Sequence, residues 1–159
     1  MMELLGALEN SALAVWVREA STVWAYPTII TLHTVGLAIL VGANAALDLR
    51  LLGVAPRIPL AEMEQFFGYM WVGFWINAVS GSLLFITEAT TKGVANIFFI
   101  KLGFIALGVI LIVLLRRTVY GEGHDVVSVP SGAKALAAAS LFAWMGAIAA
   151  GRLQAYITL

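Results

Sequence analysis

Four stretches of this chain are apolar for long enough to cross a lipid bilayer, and no other feature constrains the fold as strongly. A helical span needs roughly 20 mainly apolar residues to cover the hydrocarbon. Residues 27–47, 66–87, 95–115 and 135–157 each qualify. The third, IFFIKLGFIALGVILIVLL, holds one charge, Lys101. The fourth is rich in alanine and glycine, the composition of a helix that packs closely on its neighbours. Composition agrees: 62% of the 159 residues are hydrophobic and 11% charged, against about a quarter charged in soluble domains. A water-soluble surface cannot be built from so few charges. The expected fold is all-α, a single membrane domain over residues 1–159 forming a bundle of four transmembrane helices.

Residues 4–24, LLGALENSALAVWVREASTVW, precede the first span. Leu4, Leu5, Leu8, Val15 and Trp16 recur at helical spacing among Glu9, Arg18 and Glu19, so this segment reads as one amphipathic helix lying in the membrane interface. Trp24 and Tyr26 suit an aromatic belt, and Pro27 suits the first turn of the span that follows. A signal peptide fits poorly, because Glu3 stands where an n-region needs Lys or Arg. Four spans place the first and third loops on one side, with Arg50, Arg57, Arg116, Arg117 and Lys134. The other side has Arg18 and Lys92. The positive-inside rule therefore puts both termini outside a bacterial inner membrane. The polar loop GEGHDVVSVPSG is too short to be a catalytic domain.

A net charge of +0 offers no field for a polyanion and excludes nucleic acid as a partner. The absence of cysteine removes disulfides and thiolate sites. No phosphate loop, HExxH or paired-carboxylate motif is present. Serine chemistry is discounted because the serines lack a histidine within plausible reach and a third orienting group. The methionines Met1, Met2, Met63, Met70 and Met145 are scattered, whereas a copper site wants Met and His clustered.

Ionisable residues inside spans are expensive and mark function or a required pairing. Here they are His33, Lys101 and Arg152, with Asn44, Asn77, Glu88 and Gln154 as lesser polar members. His33 lies about 9 Å along the first helix. Lys101, Arg152 and Glu88 fall at a similar depth, toward the side that holds the termini, so all four helices present a polar group to one level. His33 suits either interhelical hydrogen bonding or axial ligation of heme iron. Lys101 suits snorkelling or a pairing with Glu88; Glu88 and Arg152 suit the headgroup region. Asn44 and Asn77 read as interhelical hydrogen-bond partners. His124, beside Glu122 and Asp125, reads as a solvated loop residue on the opposite side, so both histidines cannot ligate one heme within a monomer. Ala139, Ala143, Ala147 and Gly151 form a small-residue row on the fourth span, as Gly42 and Ala46 do on the first. Such rows serve packing within one chain or a homo-oligomer interface equally well. Trp71 and Trp75 suit a flat aromatic ligand or lipid.

Two segments carry a resemblance. TLHTVGLAILVGANAALDLRLLG, Thr31 to Gly53, resembles the histidine-bearing span of the copper-resistance CopD domain and of HemJ-type protoporphyrinogen oxidases. FIKLGFIALGVILIVLLRR, Phe99 to Arg117, resembles their later span, which opens on a lysine and closes on basic residues. With the ending GRLQAY, Gly151 to Tyr156, the pattern is similar to a group of bacterial four-helix membrane proteins. The resemblance implies heme b, with His33 and Lys101 in the positions of the functional histidine and lysine. The chain lacks the Met and His clusters of the CopD domain and the further histidines of the HemJ type. The expectation is a heme b-binding membrane protein of electron transfer or porphyrin oxidation, with His33 as the metal ligand and Lys101 and Arg152 facing carboxylates. A redox partner protein and a homo-oligomer through spans one and four are implied as partners beside the bilayer. The alternatives are a cofactor-free transport subunit for a small solute or ion, copper included, and a structural subunit.

Overall fold

A computed structural model describes residues 1–121 and 129–157. Among them every regular element is helical: α1 (Met2–Glu9), α2 (Ala12–Glu19), α3 (Tyr26–Leu52), a 3₁₀ turn (Ala61–Gln65), α4 (Phe66–Ile86), α5 (Ala89–Lys92), α6 (Asn96–Tyr120) and α7 (Ala133–Ile157). α3, α4, α6 and α7 are long and apolar enough to cross a membrane, and they form the four-helix bundle. α7 has the largest buried share, 39% of its most apolar window against 17% for α6. That ranking follows from its alanines, which let neighbours come close.

The spans outrun the apolar stretches. α3 continues past Leu47 to Leu52, because Leu47, Asp48 and Leu51 all point into the bundle. It stops at Gly53, whose φ of 99° lets the chain reverse. The Gly53 amide then donates to the Arg50 carbonyl (3.1 Å) and the Val54 amide to the Leu49 carbonyl (2.9 Å). α6 likewise runs on to Tyr120, whose hydroxyl donates to the Leu60 carbonyl at 2.8 Å and ties α6 to the loop before α4. Hydroxyls on the outer faces return to their own helix: Thr31 to the Pro27 carbonyl, Thr34 to that of Ile30 and Ser82 to that of Ala78. Each leaves no unpaired donor facing lipid.

The expected single interfacial helix is two. Asn10 folds its amide back onto the Gly6 carbonyl (2.8 Å), and Ser11 starts a new helix by accepting from the Ala14 amide (3.3 Å). Ser11 is a better cap than a mid-helix residue, so the chain turns there. Ala14 and Val17 are enclosed, while Leu4, Leu8 and Trp16 stand exposed. α2 packs Val17 against Ile29 and Leu84. α1 seats Leu5 on Gly93, where a Cβ would come within 2.9 Å of the leucine. Both short helices thus lie over one end of the bundle, here the His33 end.

Packing joins α3 to α4, α6 to α7, and α3 to α7. The α3–α4 contact is backbone on backbone. A Cβ on Gly73 would fall 2.6 Å from the Leu40 nitrogen, and one on Gly36 would fall 2.8 Å from the Asn77 nitrogen. In α6–α7 glycine receives a ring instead: Trp144 lies on Gly108 and Phe104 on Gly146. α4 and α6 meet through rings, Phe85 stacked on Phe98 with centroids 5.0 Å apart and Phe67 edge-on to Tyr120 at 5.6 Å. Ala143 and Ala147 of the small-residue row are buried within the monomer, whereas Gly42 has nothing near it. Gly73→Ala should lower the unfolding free energy by about 1–3 kcal/mol, since backbone cannot move aside as a side chain can. Gly42→Ala should leave it unchanged or raise it by up to about 1 kcal/mol. Thermal unfolding of the two variants in matched detergent checks both, and equal losses would refute this packing.

Candidate functional site

The main hydrophobic core occupies only part of the bundle's length. It runs from Leu40 through Leu47 and Leu51 to Leu60, Met63 and Phe67, and includes Ile112, Leu115 and Val119 of α6 and Ala133, Ala137 and Trp144 of α7. These residues centre on the end opposite His33. At the His33 end the buried apolar cluster is Val17, Ile29 and Leu84, from α2, α3 and α4 alone. No member of it comes from α6 or α7, so there the α3–α4 pair and the α6–α7 pair share no such cluster. What joins α4 to α6 at that end is the Phe85–Phe98 ring contact, with His33, Ser80 and Lys101 among the other side chains there.

His33 Nδ1 lies 3.1 Å from the Asn77 carbonyl oxygen and 3.1 Å from Ser80 Oγ. A carbonyl only accepts, and the Ser80 hydroxyl donates its proton to the Ile76 carbonyl at 2.6 Å. Nδ1 is therefore the protonated nitrogen of the neutral ring. The lone pair sits on Nε2, the nitrogen left free of these bonds. Asn77 Nδ2 donates in return to the His33 carbonyl at 2.8 Å, so two bonds fix α3 against α4 at this level. Gly81 makes room for the ring: a Cβ there would be 3.0 Å from His33 Cε1. A ring whose Nδ1–H is held by a carbonyl while Nε2 stays open is the arrangement of metal-ligating histidines.

Ser80 corrects the expectation that no serine has a histidine in reach. Distance in sequence concealed the pairing, since α3 and α4 run antiparallel. The hydroxyl is nonetheless engaged with Ile76, and no carboxylate orients the ring, so the pair lacks the third member that nucleophilic catalysis requires.

Lys101 is half-buried and lies against Gly151, with Cε 3.5 Å and Nζ 3.8 Å from where a Cβ would stand. It does not pair with Glu88. That carboxylate meets Lys92 one turn on, at 3.2 Å, because Glu88 caps the start of α5 and Lys92 ends it. The cationic charges that reach the imidazole are those of Lys101 and Lys92. Arg152 follows Gly151 on α7 and is exposed. The fold thus brings His33 and Lys101 to one level and leaves Arg152 and Glu88 at its edge. Trp75 faces outward, 63% exposed, and is no wall of this site. Glu122, His124 and Asp125 lie outside the described residues.

For heme the fit is direct at one point. The structure offers one open imidazole nitrogen on a ring already oriented by a carbonyl, with ammonium charge nearby for the propionates. Two recesses open at the opposite end, one of about 570 Å³ lined by Glu62, Glu64, Trp71 and Arg116 and an apolar one of about 290 Å³ beside Leu49 and Phe66. Neither touches His33.

Sequence reading missed a second polar group. Asp48, completely buried, accepts from Asn44 Nδ2, which also donates to Ser140 Oγ of α7 at 2.7 Å. Asp48 lies just past the apolar stretch 27–47, so the count of polar residues inside spans does not reach it. Its signal was the i, i+4 spacing from Asn44, which puts the two on one face.

No protein-family model, curated protein or solved structure matches this chain. The likeness to the CopD domain and the HemJ type stands on the sequence segments alone.

The N-terminal helices are latched over this end by charge. Thr90 donates both its hydroxyl (2.6 Å) and its amide (2.8 Å) to Glu9 Oε2, and these two bonds hold the Glu9 carboxyl below its ordinary pKa. Arg18 Nη1 donates to the Thr87 carbonyl at 3.3 Å. A group with a lowered folded pKa contributes fully above its unfolded value and loses its contribution as pH falls through the folded one. The latch should therefore hold at neutral pH and open below the carboxylate range. A nitroxide on Leu4→Cys, unique in a chain without cysteine, should gain mobility on acidification and be mobile at every pH in Glu9→Ala. Mobility independent of pH would remove the latch.

Proposed function

We propose that this protein binds heme b in a bacterial cytoplasmic membrane, with both termini outside, and serves electron transfer or porphyrin oxidation. The observation that carries this reading is the His33 ring, its Nδ1–H given to the Asn77 carbonyl and its Nε2 left open. It stands at the level where the apolar cluster stops short of α6 and α7. Heme b, when bound, supplies one-electron exchange at its iron. The protein's own residues would do the rest. His33 would hold the iron through Nε2, and Asn77 keeps the ring from turning. Ser80 stands beside the same Nδ1, and Gly81 leaves space for the imidazole. Lys101 supplies a compact positive charge for a propionate or a substrate carboxylate, and Arg152 at the rim supplies a bidentate one. Polar residues at this depth in a membrane are costly, which favours a bound partner over idle burial. A second copy would bring another His33 to the same group. The outward small residues Gly42 and Ala46 suit close approach between copies.

The purified protein, expressed with ample heme, should show a Soret band and α and β bands that sharpen with dithionite. His33→Ala should lose all of them while keeping its helical circular dichroism, and Lys101→Ala should retain heme less tightly. A featureless spectrum from folded wild-type protein would overturn the proposal and favour a solute-transport or structural role.

A further inference from the structure

The group at the other end of the bundle is unused by the heme reading. Asn44 and Asp48 lie one turn apart on the inner face of α3, and Ser140 faces them from α7. Asn44 is 1% exposed, and Asp48 and Ser140 are 0% exposed. Asn44 Nδ2 has two hydrogens and uses both, one on Asp48 Oδ2 and one on Ser140 Oγ. Two acceptors then remain without a donor, Asn44 Oδ1 and Asp48 Oδ1. The third unpaired buried atom, the Trp144 indole Nε1, is a donor that reaches neither of them.

A carboxylate in this position would be poorly kept. It has about four lone-pair directions to satisfy and receives one N–H, with the Ser140 hydroxyl close by. No cation answers it. Among the described residues the ion pairs are Arg18 with Glu19, Lys92 with Glu88 and Arg116 with Glu64. From α3 the group facing Asp48 is Asn44; Arg50, two residues on, lies on another face of the helix and gives its Nε to the Ile58 carbonyl. From α7 it is Ser140, with Lys134 exposed beyond it. No charged side chain of α4 or α6 acts on Asp48. An isolated charge buried in so apolar a core is neutralised rather than tolerated.

One proton resolves all of this. On Asp48 Oδ1 it removes the charge and turns an unpaired acceptor into a donor. The unpaired acceptor one turn away is Asn44 Oδ1. The acid proton and the open amide acceptor are then complementary, beside the Nδ2–H already given to Oδ2. We propose that Asp48 is a proton-binding site, loaded when α7 packs on α3 and Ser140 engages Asn44. Proton release leaves a carboxylate that this enclosure cannot hold, so it requires α7 to draw away from α3. The exchange involves a proton alone and no redox step, and it is independent of any heme at the other end. Four side-chain oxygens (both of Asp48, Asn44 Oδ1 and Ser140 Oγ) are also what a small hard cation would seek, and the test separates the two.

The chain has two aspartates, Asp48 and Asp125. Full-length protein carrying Asp125→Asn and carboxyl-¹³C aspartate, reconstituted in nanodiscs, isolates Asp48 in the infrared. At neutral pH the expected result is a ¹³C-shifted C=O band of a protonated carboxyl, lowered slowly in D₂O and absent from Asp48→Asn. Asp48→Asn keeps the shape and should melt at or above the wild-type temperature. A ¹³C carboxylate signature at neutral pH in folded protein overturns the proposal. So does a melting temperature that sodium or lithium raises over choline in the wild type and not in Asp48→Asn, which would mark a cation site.

Discussion

The backbone contact between α3 and α4 is the constraint on which the rest of this structure depends. In a bilayer no hydrophobic force presses helices together, so association rests on close packing and on polar groups that find partners. Gly36 and Gly73 let the two backbones touch, and either added methyl would collide with main-chain atoms. At that separation the His33 ring reaches the Asn77 carbonyl and Ser80, and Asn77 reaches back to the His33 carbonyl. The same closeness puts Gly81 under the ring. Move α4 outward by the width of a methyl group and all of these contacts lapse together.

The two ends of the bundle solve the same problem differently. At the Asp48 end a shared apolar core joins all four helices and encloses one polar triad, Asn44, Asp48 and Ser140. At the His33 end the apolar cluster stays with α2, α3 and α4, and His33, Ser80 and Lys101 hold the level in its place. The N-terminal helices cover that end through Glu9, Arg18 and Leu5. One end is thus built for dense packing and the other for polar contacts, a division that no helix shows by itself.

Much of this was legible in advance. Four spans follow from apolar length, and α7's close packing from its alanines. His33 and Lys101 declared themselves because charge-capable residues are rare inside spans. Asn44 and Asn77 behave as the interhelical partners their amides suggest, with Asn44 on Ser140 of α7 and Asn77 on α3. Other features were not legible. Asp48 falls beyond the apolar stretch 27–47, and only the continuation of α3 to Leu52 brings it into the bundle. Ser80 stood far from His33 in sequence and next to it in space. Glu88 suited a pairing with Lys101, and it meets Lys92 instead. The break at Asn10 and Ser11 was hidden by apolar spacing that continued across it.

The sequence by itself determined the solvent, the number of crossings and the depth of each polar residue. These follow from transfer free energies and the fixed rise of a helix, which are additive along the chain. Only the tertiary structure decided which way each helix is rotated. Rotation separates Lys101, turned onto Gly151, from Arg152, turned outward, although both lie at one depth. It also makes Asp48 a buried member of a triad rather than a surface charge. Facing depends on which small residues meet across helices far apart in sequence, and hydropathy, which sums along one helix at a time, does not contain it.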